Sequence, residues 1–335
     1  MNRAAAKRNA QSNPHGSHRT LARLEVVLRR IGLLTLGLLL IVLVWLVWRW
    51  RSPLESACAG SATPTFATLR PLPKTLRGAR VMLNPGHGLT RSDDGAWEFQ
   101  RPQTDGRTVF ALEDDSNVRI ARTIKRVLES SGAVVLTTRE LGADKLGVSG
   151  QPAWRESARH HLAALNVNAG IWDSSGLSLR DDCAQAQDIR ARALYANQVQ
   201  ADVLLSLHSN AGRAAARGSL VLYAKRSFLP SASDDLPAQS ACLAKRLAGA
   251  IPKAVRLERP DLNWPDASFA GSSSYGETGY ALMPSVILET AFHTNAIDGK
   301  ALGQESFRAA IADGVRDALI RFLESKLLES PRSCV

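Results

Sequence analysis

Four residues far apart in the chain have the types needed for metal-assisted hydrolysis: His87, Glu113, His208 and Glu289. Three of them stand at the ends of apolar runs that read as strands. Residues 81–84 run into His87, residues 202–207 into His208, and residues 285–288 into Glu289. In an open α/β sheet, ligands bind in the crevice at the carboxyl ends of the strands, so such residues converge. Glu113 opens a helix soon after the first of these strands. Two imidazoles and one carboxylate make a zinc site with an open fourth position. A second carboxylate beside it supplies the proton transfers that hydrolysis requires.

No single member of the set is distinctive. A histidine in the Gly-rich turn Asn84-Pro85-Gly86-His87-Gly88 is usually not a ligand. Glu289 in isolation reads as an ion-paired strand end, and Glu113 as a first-turn acid favoured by the helix dipole. The joint pattern carries the inference. The adjacent His160 and His161 lie in a polar stretch and are read as solvated.

The elements that must position these residues alternate in type. Short apolar strands are predicted at 80–84, 133–138, 202–207, 218–224 and 285–288. Between them, Ile120, Ile124, Val127 and Leu128 repeat with a helical period, as do Leu243, Leu247 and Ile251. Further helices are read over 189–199 and from Phe307 to Phe322. Alternation of this kind predicts a single α/β domain with a mostly parallel twisted sheet flanked by helices. It spans 79–328, with long insertions at 141–188 and 226–280. Loops this long in a compact domain are commonly functional lids or disordered. The second contains Trp264, Phe269, Tyr275 and Glu277, which suit a lid. The rings would stack on sugars, and Glu277 would cap the open zinc position.

The 335-residue chain carries a formal charge of +11. Nine Arg and Lys against one acid fall within residues 1–51, which leaves +3 for the remainder. The folded region is therefore close to neutral, and nucleic acid is not an expected partner. Residues 31–48 carry no charge and are apolar on every face. As a helix they span about 27 Å, enough for a bilayer core. The expectation is a basic cytoplasmic tail at 1–30, one transmembrane anchor at 31–50 and a Ser/Ala/Pro-rich linker at 51–78. Everything beyond would lie in the periplasm or outside the cell, following the positive-inside rule. A cleaved signal peptide is the rival. Cys58, Cys183, Cys242 and Cys334 allow three disulfide pairings, which an export compartment permits.

The segments VMLNPGHG, EDDSNVRIARTIKRVLESSGAVVLTTRE, RALYANQVQADVLLSLHSNA and MPSVILETAFHTNAID together resemble a known family. It is the zinc-dependent N-acetylmuramoyl-L-alanine amidases of cell division and sporulation. The resemblance runs over about residues 79–325. It implies His87, Glu113 and His208 as zinc ligands and Glu289 as the catalytic carboxylate. It also implies peptidoglycan as substrate and leaves room for a protein activator. Arg192 and Asn197 match family positions on the helix before the second histidine strand and are read as packing and hydrogen-bonding residues. Three positions depart: Asn84 where Asp is frequent, Leu89 where a second Gly is common, and His293 where an apolar residue is usual. His293 is a candidate accessory residue. The alternatives are another zinc hydrolase of wall peptides, such as a carboxypeptidase, and an inactive wall-binding division scaffold.

Overall fold

In a computed structural model, the described residues are 64–91, 95–101, 109–142, 145–173 and 181–325, with the side chains of 181–183 not described. The tail, the anchor, residues 51–63 of the linker, Cys58 and Cys334 lie outside them. Among the described residues no helix is long and apolar enough to cross a membrane.

The strands are β1 (Arg80–Pro85), β2 (Leu89–Arg91), β3 (Trp97–Phe99), β4 (Val134–Thr137), β5 (Val203–Asn210), β6 (Leu220–Ala224), β7 (Ser268–Ser272) and β8 (Ser285–Phe292). The helices are α1 (Glu113–Ser130), α2 (Ala158–Ala164), α3 (Ala169–Trp172), α4 (Asp181–Gln198), α5 (Leu236–Glu258), α6 (Gly276–Gly279), α7 (Ala296–Leu302) and α8 (Glu305–Leu323). Six strands form one sheet in the order β4-β1-β5-β8-β6-β7, while β2 and β3 make a separate hairpin. Pairing is parallel throughout the sheet except between β6 and β8. The α/β expectation with a mostly parallel sheet is met.

Strand periodicity sorts the core into two faces. Val81 and Leu83 of β1, with Val203, Leu205 and Leu207 of β5, face one cluster that also takes in buried residues of α1, α5 and α8. Met82 and Leu204 point the other way, against Ala193 and Ala196 of α4 and Met283. The helical stripe of α1 buries Ile120, Ile124 and Leu128, and its chain turns out through Gly132 at φ 87°. On the second face the strands change character toward their carboxyl ends. Met82 gives way to Asn84, and Leu204 to Ser206 and then His208, all buried. Apolar packing thus holds the strands, and the same face delivers polar groups where they end.

β4 lies on one side of β1 and β5 on the other. The crevice between β1 and β5 is therefore where strand order reverses, the usual place for a ligand in such a sheet.

Two expectations need correction. The strands at 202–207 and 285–288 do not stop before their functional residues. Each continues to the end of an eight-residue strand, so His208 and Glu289 lie within the ladder and face each other in register. Within 226–280, the helix α5 falls where Leu243, Leu247 and Ile251 placed one, but the stretch 260–280 is not all loop: it holds the strand β7, which extends the sheet beyond β6. Within 141–188, α2 and α3 pack with α4, where Leu162 and Ile171 meet Leu194. Cys242 is disulfide-bonded, and its pairing lies outside the described side chains.

Candidate metal centre and active site

The β1 strand ends in a turn whose backbone is forced. His87 takes φ 61° and Gly88 φ 111°, both in the left-handed region. A Cβ at Gly86 would lie 2.1 Å from His208 Cε1, so only glycine lets the turn pass over that ring. The turn is held from beneath by two buried arginines. Arg139 donates to the Gly86 carbonyl at 2.6 Å and to Glu156 and Trp154 carbonyls. Burial lowers its pKa to about 10. Arg192 donates to the His87 carbonyl at 2.8 Å and pairs with Asp188. Asp114 accepts from the Gly88 amide at 2.5 Å, which ties the turn to the start of α1.

These constraints bring three donors together. Glu113 Oε1 lies 3.2 Å from His87 Nε2 and 3.1 Å from His208 Nδ1. All three donor atoms fall within 4.8 Å of one another. Two ligands on one tetrahedral zinc, at about 2.1 Å each, would stand about 3.3 Å apart. The donor set and its spacing therefore fit zinc. The two rings meet edge to face, with centroids 4.8 Å apart.

The electrostatics match that arrangement. Burial opposes ionisation of Glu113, yet hydrogen bonds from His208 and His87 hold its pKa well below the usual carboxylate range. Burial likewise opposes a charged His208. Glu277 and Glu113, one on each ring nitrogen, raise its pKa well above the ordinary value. Glu289 behaves in the opposite sense. Burial, with Glu113 and Glu277 nearby, pushes its pKa up to about 7, against a pull from His208. Its Oε2 is buried and accepts no hydrogen bond, unlike the oxygens of Glu113 and Glu277. A carboxyl left unpaired beside three potential ligands is free to exchange a proton.

All four residues line one cleft of about 590 Å³. Its wall also includes Arg101, Gln185, Tyr275 and His293, none of which except Tyr275 and His293 stood out in the sequence. His293 is buried, with Nδ1 3.0 Å from Ser209 Oγ. Of the residues expected in a lid, the structure separates two from the cleft. Trp264 is core, 1% exposed, and its ring packs at a tilt against Phe307 of α8 with centroids 4.9 Å apart. Phe269 sits on the strand β7, partly exposed. Tyr275 and Glu277 do reach the cleft. Glu277 does not cap the donors' shared side, because its oxygens face His208 Nε2 at 3.2 Å and Arg192 Nη1 at 3.5 Å. His160 and His161 are half-buried on α2 rather than solvated, with His160 against Trp97. Arg192 and Asn197 have the packing roles expected of them. Asn197 bridges the Tyr280 carbonyl and the Leu282 amide.

Residues 81–321 match the family described as N-acetylmuramoyl-L-alanine amidase. The chain belongs to that family. It is 30% identical over 264 residues to the N-acetylmuramoyl-L-alanine amidase LytC of Bacillus subtilis, a match covering 78% of this chain and 39% of that relative. The chain thus spans well under half the length of this curated relative. Solved structures with a similar chain path include an N-acetylmuramoyl-L-alanine amidase from Clostridium difficile 630, at 20% identity and TM-score 0.46, covering 75% of this chain and 99% of that one. Another is Ami1 from Mycobacterium smegmatis, at 16% identity and TM-score 0.48, covering 75% and 100%.

Proposed function

We propose that this chain hydrolyses the amide bond between N-acetylmuramic acid and L-alanine in peptidoglycan, with Zn²⁺ held by His87, Glu113 and His208. The observation that carries the reading is the grouping of three donor atoms within 4.8 Å in the same cleft as the unpaired carboxyl of Glu289. Membership of the amidase family supports the choice of bond.

Zn²⁺ when bound supplies a water of lowered pKa, near 7, and a Lewis acid for the amide carbonyl. The chain's own residues do the rest. Glu289, with a pKa raised to about 7, takes a proton from the attacking water at Oε2 and returns it to the leaving L-alanine nitrogen. Glu113 stays ionised, and its Oε1, close to His87 Nε2 and His208 Nδ1, would hold the metal with them. Arg139 and Arg192 hold the turn that carries His87, so the ligand is in place before substrate arrives.

Product analysis on purified wall tests the reading. Release of stem peptides with a new free L-alanine amine is expected. Release of a terminal D-amino acid instead would identify a carboxypeptidase, and intact wall with a zinc-loaded chain would identify a scaffold. We further propose that residues 31–50 anchor the catalytic domain outside the cytoplasmic face of a membrane. A reporter fused after Val335 should then be active only in an exported compartment, with the chain retained on membranes in high salt.

A further inference from the structure

Glu277 was placed by its sequence in a lid, but its contacts tie it to the interior of the site. It is buried, on the short helix α6 between β7 and β8. Its Oε2 lies 3.2 Å from His208 Nε2, the ring nitrogen opposite the one that faces Glu113. The same oxygen accepts from Asn84 Nδ2 at 3.0 Å and from the Ser206 hydroxyl. Its Oε1 faces Arg192 Nη1 at 3.5 Å. Four elements therefore fix one carboxylate: β1, β5, α4 and α6.

We infer that Glu277 is a positioning residue for the metal centre: it takes the Nε2 proton of His208 in a hydrogen bond and so fixes Nδ1 as the metal-facing nitrogen. The inference rests on the zinc reading above. A ligating histidine commonly donates its other ring N–H to a carboxylate, which sets the tautomer and ring orientation. Here the carboxylate comes from the segment before β8, and it is shared with the group that holds the other histidine. Arg192 contacts both Glu277 and the His87 carbonyl, so one guanidinium couples the two histidines.

Asn84 completes the arrangement, and its neutrality is part of it. Its Oδ1 accepts from Thr138 Oγ1 at 2.6 Å and from Arg192 Nη1 at 3.3 Å, which assigns the amide nitrogen to the Glu277 side. Aspartate at that position would set two carboxylates 3.0 Å apart in a buried site, with no proton between them. The amide at 84 and the carboxylate at 277 are thus complementary. One oxygen, Oε2, takes both the Asn84 amide and His208 Nε2, so a glutamine at 277 must offer its carbonyl there and turn its NH₂ toward the Arg192 guanidinium.

The test uses the full chain and Zn²⁺ alone as probe. Zinc affinity is read by competition with a chromogenic chelator, and hydrolysis by kcat and KM. Glu277→Gln should weaken zinc binding by about 10–100-fold and lower kcat more than KM changes. Asn84→Asp alone should also weaken it. A purely structural role for Glu277 would shift the unfolding midpoint of the metal-free chain and leave zinc affinity unchanged. Wild-type zinc affinity in Glu277→Gln overturns the inference alone. A wild-type chain that takes up no zinc overturns the metal reading and this inference together.

Discussion

Replacing Glu289 by glutamine separates its two properties, charge and shape. Glutamine keeps the volume and cannot exchange a proton. In the metal-free chain the carboxyl has its pKa raised from 4.5 to about 7, chiefly by burial. At 1.36 kcal/mol per pH unit, that displacement corresponds to about 3 kcal/mol against the ionised form. The sign follows from proton linkage. Between 4.5 and about 7 the folded chain holds a proton that the unfolded chain has released. Glu289 therefore adds stability that is fully present below 4.5 and lost as pH rises through about 7. Glu289→Gln cannot show that loss. Relative to wild type, the metal-free variant should gain about 2–3 kcal/mol on going from pH 5 to pH 8. Urea unfolding at the two pH values, with zinc chelated, measures the difference. With zinc bound the gain should shrink, because a nearby cation favours the ionised carboxylate. Hydrolysis by the zinc-loaded variant should fall about 10²–10⁴-fold while zinc stoichiometry stays at one. Parallel pH profiles of stability for the two chains, or a rate within a few-fold of wild type, would refute the reasoning.

The other predictions concern the elements that build the site. His87→Ala and His208→Ala should each lose stoichiometric zinc and hydrolysis, read by metal analysis and product release. Gly86→Ala puts a methyl 2.1 Å from His208 Cε1, so the ring must move. A displacement of about 1 Å at a reacting centre costs about 10²-fold in rate, which kcat on purified wall would reveal in a folded protein. Trp264→Ala should destabilise the chain by about 3–5 kcal/mol in denaturant unfolding, since the ring is core, and should not raise basal activity as opening a lid would.

The sequence exposes the fold and three of the four polar residues, His87, His208 and Glu289, by a common mechanism; Glu113 instead opens a helix. Apolar runs mark the strands because both faces of the sheet are covered, and the polar residue that ends a run marks the crevice. The same signal misjudges where strands stop. Hydrophobicity ends at Leu207 and Leu288, whereas backbone pairing continues to Asn210 and Phe292. Ladder hydrogen bonds do not depend on apolar side chains, so polar residues can extend a strand unnoticed. Composition also misleads between 260 and 280. A stretch rich in Gly, Ser and Pro reads as exposed loop, and Trp264 within it then reads as a surface ring. Its burial is decided by Phe307, on a helix more than forty residues further on.

Glu277 shows why second partners of a site are harder to read than its ligands. The two histidines are announced by residue type at strand ends. A carboxylate that orients a ligand needs no such address, and any element that reaches the ring can supply it. What the sequence does offer is a mismatch. Asn84 stands where a carboxylate is frequent, directly beside two buried arginine networks that call for negative charge. Arg192 is buried and paired with Asp188, and a second anion lies within reach of its guanidinium. The structure supplies Glu277 from a segment nearly two hundred residues away. A neutral residue at a position that faces buried cations is thus a signal to search the rest of the chain for the displaced carboxylate. Here the search ends on Nε2 of His208, the ring nitrogen opposite the one that faces Glu113.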